Sequence, residues 1–352
     1  MKILVLPGDG IGPEITQATL TVLDRVNAKF KLGLEWDQRD MGLVTLKKVG
    51  STLPDEVMEA ARKAPGIILG PVDHLIYPSR EQGGINPSGE FRTKLDLFAN
   101  IRPAISRMGV GLTGKPIDLV IFRECTEGFY SDRNMFMGRG EFMPTEDMAI
   151  AVRKVTARQC ERITRVAFDW ARKRRKKVTA VHKANVFHMS DNLFLREVRK
   201  VAKEYPDVEL DEKIVDAMAA LLVRHPDRFD CIVTGNMFGD ILSDEASEIS
   251  GGLGLAASTM AGDDACCAQA QHGSAPDIAG KDIANPTSLI LSAAMLLDWL
   301  SIRHKRAEFD AAAKAIDTAI NTALQKPETR TPDIGGKLGT QAFAKHVADL
   351  IG

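Results

Sequence analysis

Short apolar runs that end in glycine or a charge alternate with longer segments of helical period, and this alternation constrains the fold more than anything else in the chain. "KILVL" (2–6), "GIILG" (66–70), "DLVIFREC" (118–125) and "KVTAVHKAN" (177–185) read as buried strands. Among them, "EITQATLTVLDRV" sets Ile15, Leu20, Leu23 and Val26 near helical spacing. "TARQCERITRVAFDWARKR" puts Ile163, Val166, Ala167 and Trp170 on one face. "NPTSLILSAAMLLDWL" reads as a long helix buried on several sides, and "EFDAAAKAIDTAINTALQK" as a late amphipathic one. Strands this apolar need helices over both faces, so the pattern specifies an α/β protein with a largely parallel sheet. The 352 residues exceed the ~250–300 at which a single core stops growing, so two domains are expected.

Composition removes several function classes. Net charge is −1, which gives no global pull towards nucleic acid or membrane. "RKRRKK" (172–177) reads as a solvated helix end rather than a nucleic-acid or localisation signal. Five cysteines, an odd number without a CxxC pair, suit a reducing compartment. The apolar start is too short for a signal peptide, and no run reaches ~18 apolar residues. The expectation is a cytoplasmic chain, complete as it stands.

Several stretches carry residues suited to chemistry. "PGDGIG" is spaced G-x-G-x-G and reads as a tight strand-to-helix turn rather than a Rossmann phosphate loop. "YPSREQGGINPSGEF" (77–91) reads as a long loop. Arg92, Arg102 and Arg123 stand where strands or loops leave apolar runs, and guanidinium grips carboxylates two-pronged. Lys183 follows a strand, where α/β active sites form, or is a plain exposed lysine. Tyr130 is either a phenolic acid or a packing residue. Asp240 and Asp244 in "IVTGNMFGDILSDEAS" share a helix face one turn apart, and Asp216 interrupts an apolar helical stretch. As a triplet they offer hard oxygens suited to Mg²⁺ or Mn²⁺, whereas His182, His188 and His272 lack zinc spacing. "HGSAPDIAGKDIANP" (272–286) is a loop built for close approach of a flat ligand. If a dinucleotide lies there, Asp277 accepts from a ribose hydroxyl. It would also repel a 2′-phosphate by about 4 kcal/mol at ~4 Å and an effective dielectric near ~20, which favours NAD over NADP.

These pieces, in this order, resemble the isocitrate/3-isopropylmalate dehydrogenase family, the β-decarboxylating dehydrogenases. "TGNMFGDILSDEAS", "HGSAPDIAGKDIANP", "LDLFANIRP" and "VHKAN" are the most specific matches. The resemblance implies an α/β fold that is not Rossmann, with two domains sharing a central, mostly parallel sheet. Residues 1–99 plus 252–352 would bind the cofactor, and residues 100–251 would dimerise and carry the metal and catalytic groups. It implies Arg92, Arg102, Arg123 and Ser88 for substrate, Tyr130 and Lys183 for catalysis, and Asp216, Asp240 and Asp244 for metal. His272, Gly273, Ser274, Ala275, Pro276, Asp277, Ile278 and Asn285 would hold NAD. It further implies a homodimer in which Lys183 and Asp216 reach the neighbour's site. The implied reaction is NAD-linked oxidative decarboxylation of a 3-substituted (2R)-malate with Mg²⁺ or Mn²⁺.

Two departures bear on substrate and cofactor. Isopropylmalate enzymes carry a Leu pair just before the first arginine, where this chain has Ser88 and Gly89; the Ser-x-Asn of isocitrate enzymes is missing too. "CAQAQHG" puts Gln269 where the family has Glu. The alternatives are an isocitrate or homoisocitrate dehydrogenase, and a regulatory subunit of a family hetero-oligomer. The regulatory subunit is disfavoured because the lysine, the tyrosine and the three acids are all present. A 4-hydroxythreonine-phosphate dehydrogenase-like enzyme would need metal histidines that are absent here.

Overall fold

Apolar, β-branched runs form the inner strands because their side chains are buried on both faces. The computed structural model describes residues 1–107, 110–111 and 116–352. Its strands are β1 (Lys2–Leu6), β2 (Glu35–Gln38), β3 (Gly66–Leu69), β4 (Ala99–Ile105), β5 (Asp118–Glu124), β6 (Glu141–Thr145), β7 (Met148–Ala151), β8 (Lys177–His182), β9 (Glu209–Ile214), β10 (Cys231–Thr234), β11 (Thr259–Ala261) and β12 (Cys266–Gln269). The chain divides into two compact units, Met1–Leu95 with Arg107–Gly111 and Gly251–Gly352, and Asp96–Ser106 with Leu112–Ser250.

In the first unit the strand order is β2-β1-β3-β12-β11. All neighbours are parallel except β11 with β12. The helix Gly12–Phe30 buries Ile15, Leu20, Leu23 and Val26, as their spacing predicts. It packs into a core with Leu296 and Leu300 of Thr287–His304, Ile316 of Ala307–Ala323 and Phe343 of Thr340–Ile351. Thr287–His304 is buried on most of its surface, as expected.

In the second unit the order is β4-β5-β10-β8-β9. β5, β10, β8 and β9 run parallel and β4 is antiparallel to β5. β6 and β7 form a separate antiparallel hairpin whose residues are exposed. Thr156 caps the helix Ala157–Arg172 by accepting from Gln159 N–H. Ile163 and Ala167 face the core as predicted; Phe168 lies deeper than Val166 or Trp170. In the basic run after this helix, Arg172 and Lys176 pair with Asp207. Arg174 and Arg175 pair with Asp118 and Asp230, and Lys177 pairs with Glu209. That run is a folded structural joint rather than an open patch.

Two local expectations need correction. Residues 87–91 of the anticipated loop 77–91 are helical: Asn86 caps the helix Pro87–Lys94 by accepting from Gly89 N–H, and Pro87 occupies its first turn. Asp216 does not interrupt a buried helix. It sits in the first turn of Val215–Arg224, exposed, because residues 209–214 form a strand instead of continuing the helix.

Candidate active site

In the first unit, Ser88 and Arg92 lie four residues apart on the helix Pro87–Lys94 and so share a face. Ser88 is 7% exposed and donates to Oε1 of Gln269 at 3.0 Å. Arg92 is 9% exposed, with Nε 2.9 Å from Sδ of Met260. Among the described residues it has no carboxylate partner, so a nearly buried cation lacks a counter-charge.

The loop that begins at His272 is locked to the "PGDGIG" turn backbone to backbone. Ile11 N–H donates to Ser274 O at 2.8 Å. Gly10 has φ +57°, and a Cβ there would stand 2.0 Å from Ser274 O, so glycine is required. This is the tight turn expected from the sequence, with its physical reason. Asp9 is buried and accepts from Leu43 N–H, Asp73 N–H and the Tyr77 hydroxyl, pinning the neighbouring loops. Gly273, Pro276 and Asp277 are exposed, while Ala275 and Ile278 lean on the core. Asn285 accepts from Thr287 N–H and donates to Asp333, so it anchors the loop's exit. Burial lowers the His272 pKa below the usual histidine value, and its Nε2 is buried without a partner among the described residues.

In the second unit, the residues singled out gather at the carboxyl ends of β5, β10 and β8 and on β4. Asp240 and Asp244 lie on the helix Asn236–Ser250, one turn apart as their spacing predicts. Arg102 Nη1 reaches Asp240 at 3.1 Å, Asp244 at 3.2 Å and Ser243 Oγ at 2.7 Å, which offsets the repulsion between the two acids. Arg123 is 1% exposed; it pairs with Asp240 and donates twice to Asn236 Oδ1, at 3.0 and 2.7 Å. Gly239 leaves room for this side chain, since a Cβ would come within 2.7 Å of it. The Tyr130 hydroxyl donates to Asp240 Oδ2 at 2.6 Å, and the Arg123 guanidinium lies 5.4 Å from the Tyr130 ring centre.

Lys183 and Asp216 meet separately. Lys183 Nζ is 2.6 Å from Asp216 Oδ1, and this hydrogen bond holds the Asp216 carboxyl below the usual range. The anticipated three-acid cluster is not assembled within one chain: among the described residues no group of three His, Cys, Asp or Glu side chains is arranged to hold a metal. The reason is topological. Asp216 follows β9 and Asp240 follows β10, two strand positions away, or about 10 Å at ~4.8 Å per strand.

Sequence reasoning missed a supporting set. Asp191 is almost fully buried, and its Oδ2 accepts from Lys183 N–H at 2.5 Å. Arg153 pairs with its other oxygen. Glu124 accepts from Thr126 N–H, the Thr126 hydroxyl and Glu127 N–H; Glu127 accepts from both Thr156 N–H and its hydroxyl. Only Glu124, at the end of the apolar run of β5, carried a sequence signal; Asp191 lies on the helix Ser190–Ala202 and Arg153 follows the exposed strand β7.

Residues 2–351 match the family model described as isocitrate/isopropylmalate dehydrogenase. The chain belongs to that family. It is a dehydrogenase, 39% identical over 351 residues to the 3-isopropylmalate dehydrogenase of Archaeoglobus fulgidus, with 99% of each chain covered. It is 40% identical to the homoisocitrate dehydrogenase of Methanocaldococcus jannaschii, covering 100% of this chain and 98% of that one. The crystal structure of isocitrate dehydrogenase from Methylococcus capsulatus superposes with a TM-score of 0.87 at 38% identity, with 99% of both chains covered. The fold is therefore the isocitrate dehydrogenase-like α/β fold rather than a Rossmann fold. No helix among the described residues is long and apolar enough to cross a membrane.

Proposed function

We propose that this family member catalyses metal-dependent, NAD-linked oxidative decarboxylation of a 3-substituted (2R)-malate, yielding a 2-oxo acid, CO₂ and NADH. The observation that carries this reading is the convergence of Arg102, Arg123 and Tyr130 on Asp240, with Asp244 one turn away. Arg92, a buried cation with no protein counter-charge among the described residues, supports a carboxylate-bearing ligand.

Arg92, Arg102 and Arg123 bind the substrate carboxylates through charge-assisted hydrogen bonds. Lys183 takes the C2 hydroxyl proton; its turn is held by the Asp191 carboxylate. Tyr130, within hydrogen-bond reach of Asp240, returns a proton to C3 after CO₂ leaves. The donor set fits a hard divalent ion: Asp240 and Asp244 of one chain, with Asp216 from a second copy, offer only oxygens. Mg²⁺ or Mn²⁺ bound there would supply Lewis acidity towards the substrate oxygens. NAD, held by residues 272–278 and Asn285 with Asp277 on the ribose, would accept the hydride. The protein then acts as a cytoplasmic homodimer joined through residues 100–251. That surface exposes Phe136, Met137, Val223 and Ile241, and all five cysteines are buried thiols.

Isocitrate or homoisocitrate is the second reading of the substrate. The neutral Ser88–Gln269 pair, one turn from Arg92, suits a 3-substituent bearing oxygen better than an alkyl group. NADH formation with Mn²⁺ should be followed for 3-isopropylmalate, D-malate, tartrate, isocitrate and homoisocitrate, with NAD⁺ and NADP⁺ in parallel. One substrate is expected to turn over with NAD⁺ and to need the metal. Silence across the whole panel, with and without Mn²⁺, would refute the assignment.

A further inference from the structure

Arg153 precedes the helix Ala157–Arg172 and has no place in the chemistry described above, yet it touches three segments that do. Its side chain is 14% exposed, and Nη1 lies 2.5 Å from Asp191 Oδ1 and 2.6 Å from Ser190 Oγ. The other Asp191 oxygen accepts the Lys183 backbone N–H. The guanidinium carbon stands 4.6 Å from the ring centre of Phe187, 5.7 Å from that of Phe129 and 5.8 Å from that of Phe238. Phe129 directly precedes Tyr130. Phe238 lies two residues before Asp240, and Phe187 is in the turn after Lys183. These two turns and the first turn of the helix Asn236–Ser250 follow β5, β8 and β10, three parallel strands adjacent in the sheet. One cation is therefore stacked against or paired with the segments that follow the three strands leading to Tyr130, Lys183 and Asp240.

We propose that Arg153 is a positioning residue that holds the turns carrying Tyr130 and Lys183 and the helix start carrying Asp240 in mutual register. Its charge binds the Lys183 turn through Asp191, and its flat face gathers the aromatic flanks of all three segments through cation–π contact. The catalytic consequence rests on the proposed function; the structural coupling does not. A misplacement of about 1 Å at such a site can cost about 10²-fold in rate.

The test uses the full-length enzyme with Arg153→Lys, Arg153→Gln and Asp191→Asn. In folded protein, Arg153→Gln is expected to lower kcat about 10²-fold while changing substrate KM less than about threefold. Arg153→Lys should recover part of the loss, because it restores the charge but not the planar stack. A purely structural ion pair would lower the melting temperature and leave turnover per folded site intact. Hydrogen exchange gives a readout independent of activity. In Arg153→Gln, amides of residues 183–191 and 126–132 should exchange together about tenfold faster, while strand β5 keeps its protection. Unchanged exchange in those segments, or wild-type kcat in folded Arg153→Gln, would overturn the proposal. If the wild type is silent on every malate derivative but the exchange coupling is present, the proposed function fails and the coupling survives. Should Arg153→Gln be too unstable to purify, Arg153→Lys and Phe187→Leu carry the same two measurements with the same criteria.

Discussion

Buried arginines at two places, Arg102 and Arg123 in the second unit and Arg92 in the first, have their charge met in opposite ways. In the second, Arg123 is 1% exposed and is met by Asp240 and Asn236, while Arg102 is met by Asp240, Ser243 and Asp244. In the first, Arg92 is 9% exposed and, among the described residues, meets a thioether sulfur and no carboxylate. A buried charge without a partner destabilises the fold, whereas a paired one in good geometry roughly offsets its own desolvation. Arg102 and Arg123 are thus aligned by protein partners. In the proposed function, the substrate would supply the counter-charge of Arg92.

The largest expected effect probes whether the pairs in the second unit serve chemistry or stability. Lys183→Ala should lower kcat by about 10³-fold, within the range of general acid–base catalysis, and hardly shift the melting temperature, because its partner Asp216 is exposed. Equal loss of folding and activity would break the distinction. Next comes the direct contrast. Arg123→Gln should destabilise by roughly 2–4 kcal/mol in urea melts, below the fully buried case because Asp240 keeps 34% of its side chain exposed. Arg92→Gln should cost less than about 1 kcal/mol or stabilise, while raising substrate KM by about 10²-fold. Similar melts for the two variants would erase the comparison.

Glu124 gives a pH-dependent version. Burial raises its pKa from the ordinary 4.5 to about 7. Between those values the folded protein holds a proton that the unfolded chain releases. Stability from this source is therefore greatest below pH 4.5 and falls as pH rises to about 7, by roughly 3 kcal/mol. Glu124→Gln should flatten that stretch of the stability–pH curve and stabilise at pH 8 by up to about 3 kcal/mol, with hydrogen bonds lost from Glu127 N–H reducing the gain. The smallest effect tests the helix that carries Arg92: Asn86→Ala removes its cap and should cost about 1 kcal/mol.

Inner strands such as β1, β3, β5 and β8 were legible because burial on both faces makes them continuous apolar runs. The edges were not. β9, "ELDEKI", and β2, "EWDQ", end the order in their units and carry charges along their length, which protects an open edge from pairing. With β9 hidden, Asp216 looked like an acid inside a helix. Asn86–Pro87 was a readable helix start that the surrounding Gly, Pro and Ser obscured. Among the site residues, Asp240 and Asp244 fell where period placed them, on one helix face, whereas Ser88 and Arg92 share a face of a helix whose start was read as loop. Arg153 and Asp191 could not be found this way, since their meaning depends on turns from β5, β8 and β10 lying side by side.

The pairing of β3 with β12 also sets a schedule. Ile67 waits for Cys267, about 200 residues further along, and at ~5–20 residues per second the ribosome needs roughly ten to forty seconds to deliver it. During that interval the middle of the chain can complete its own core while the opening strands remain half-dressed. Newborn molecules of this enzyme are thus most exposed to chaperones and to clumping through β1 and β3, and a synonymous change that slows translation before residue 266 would lengthen that vulnerable window without altering a single side chain.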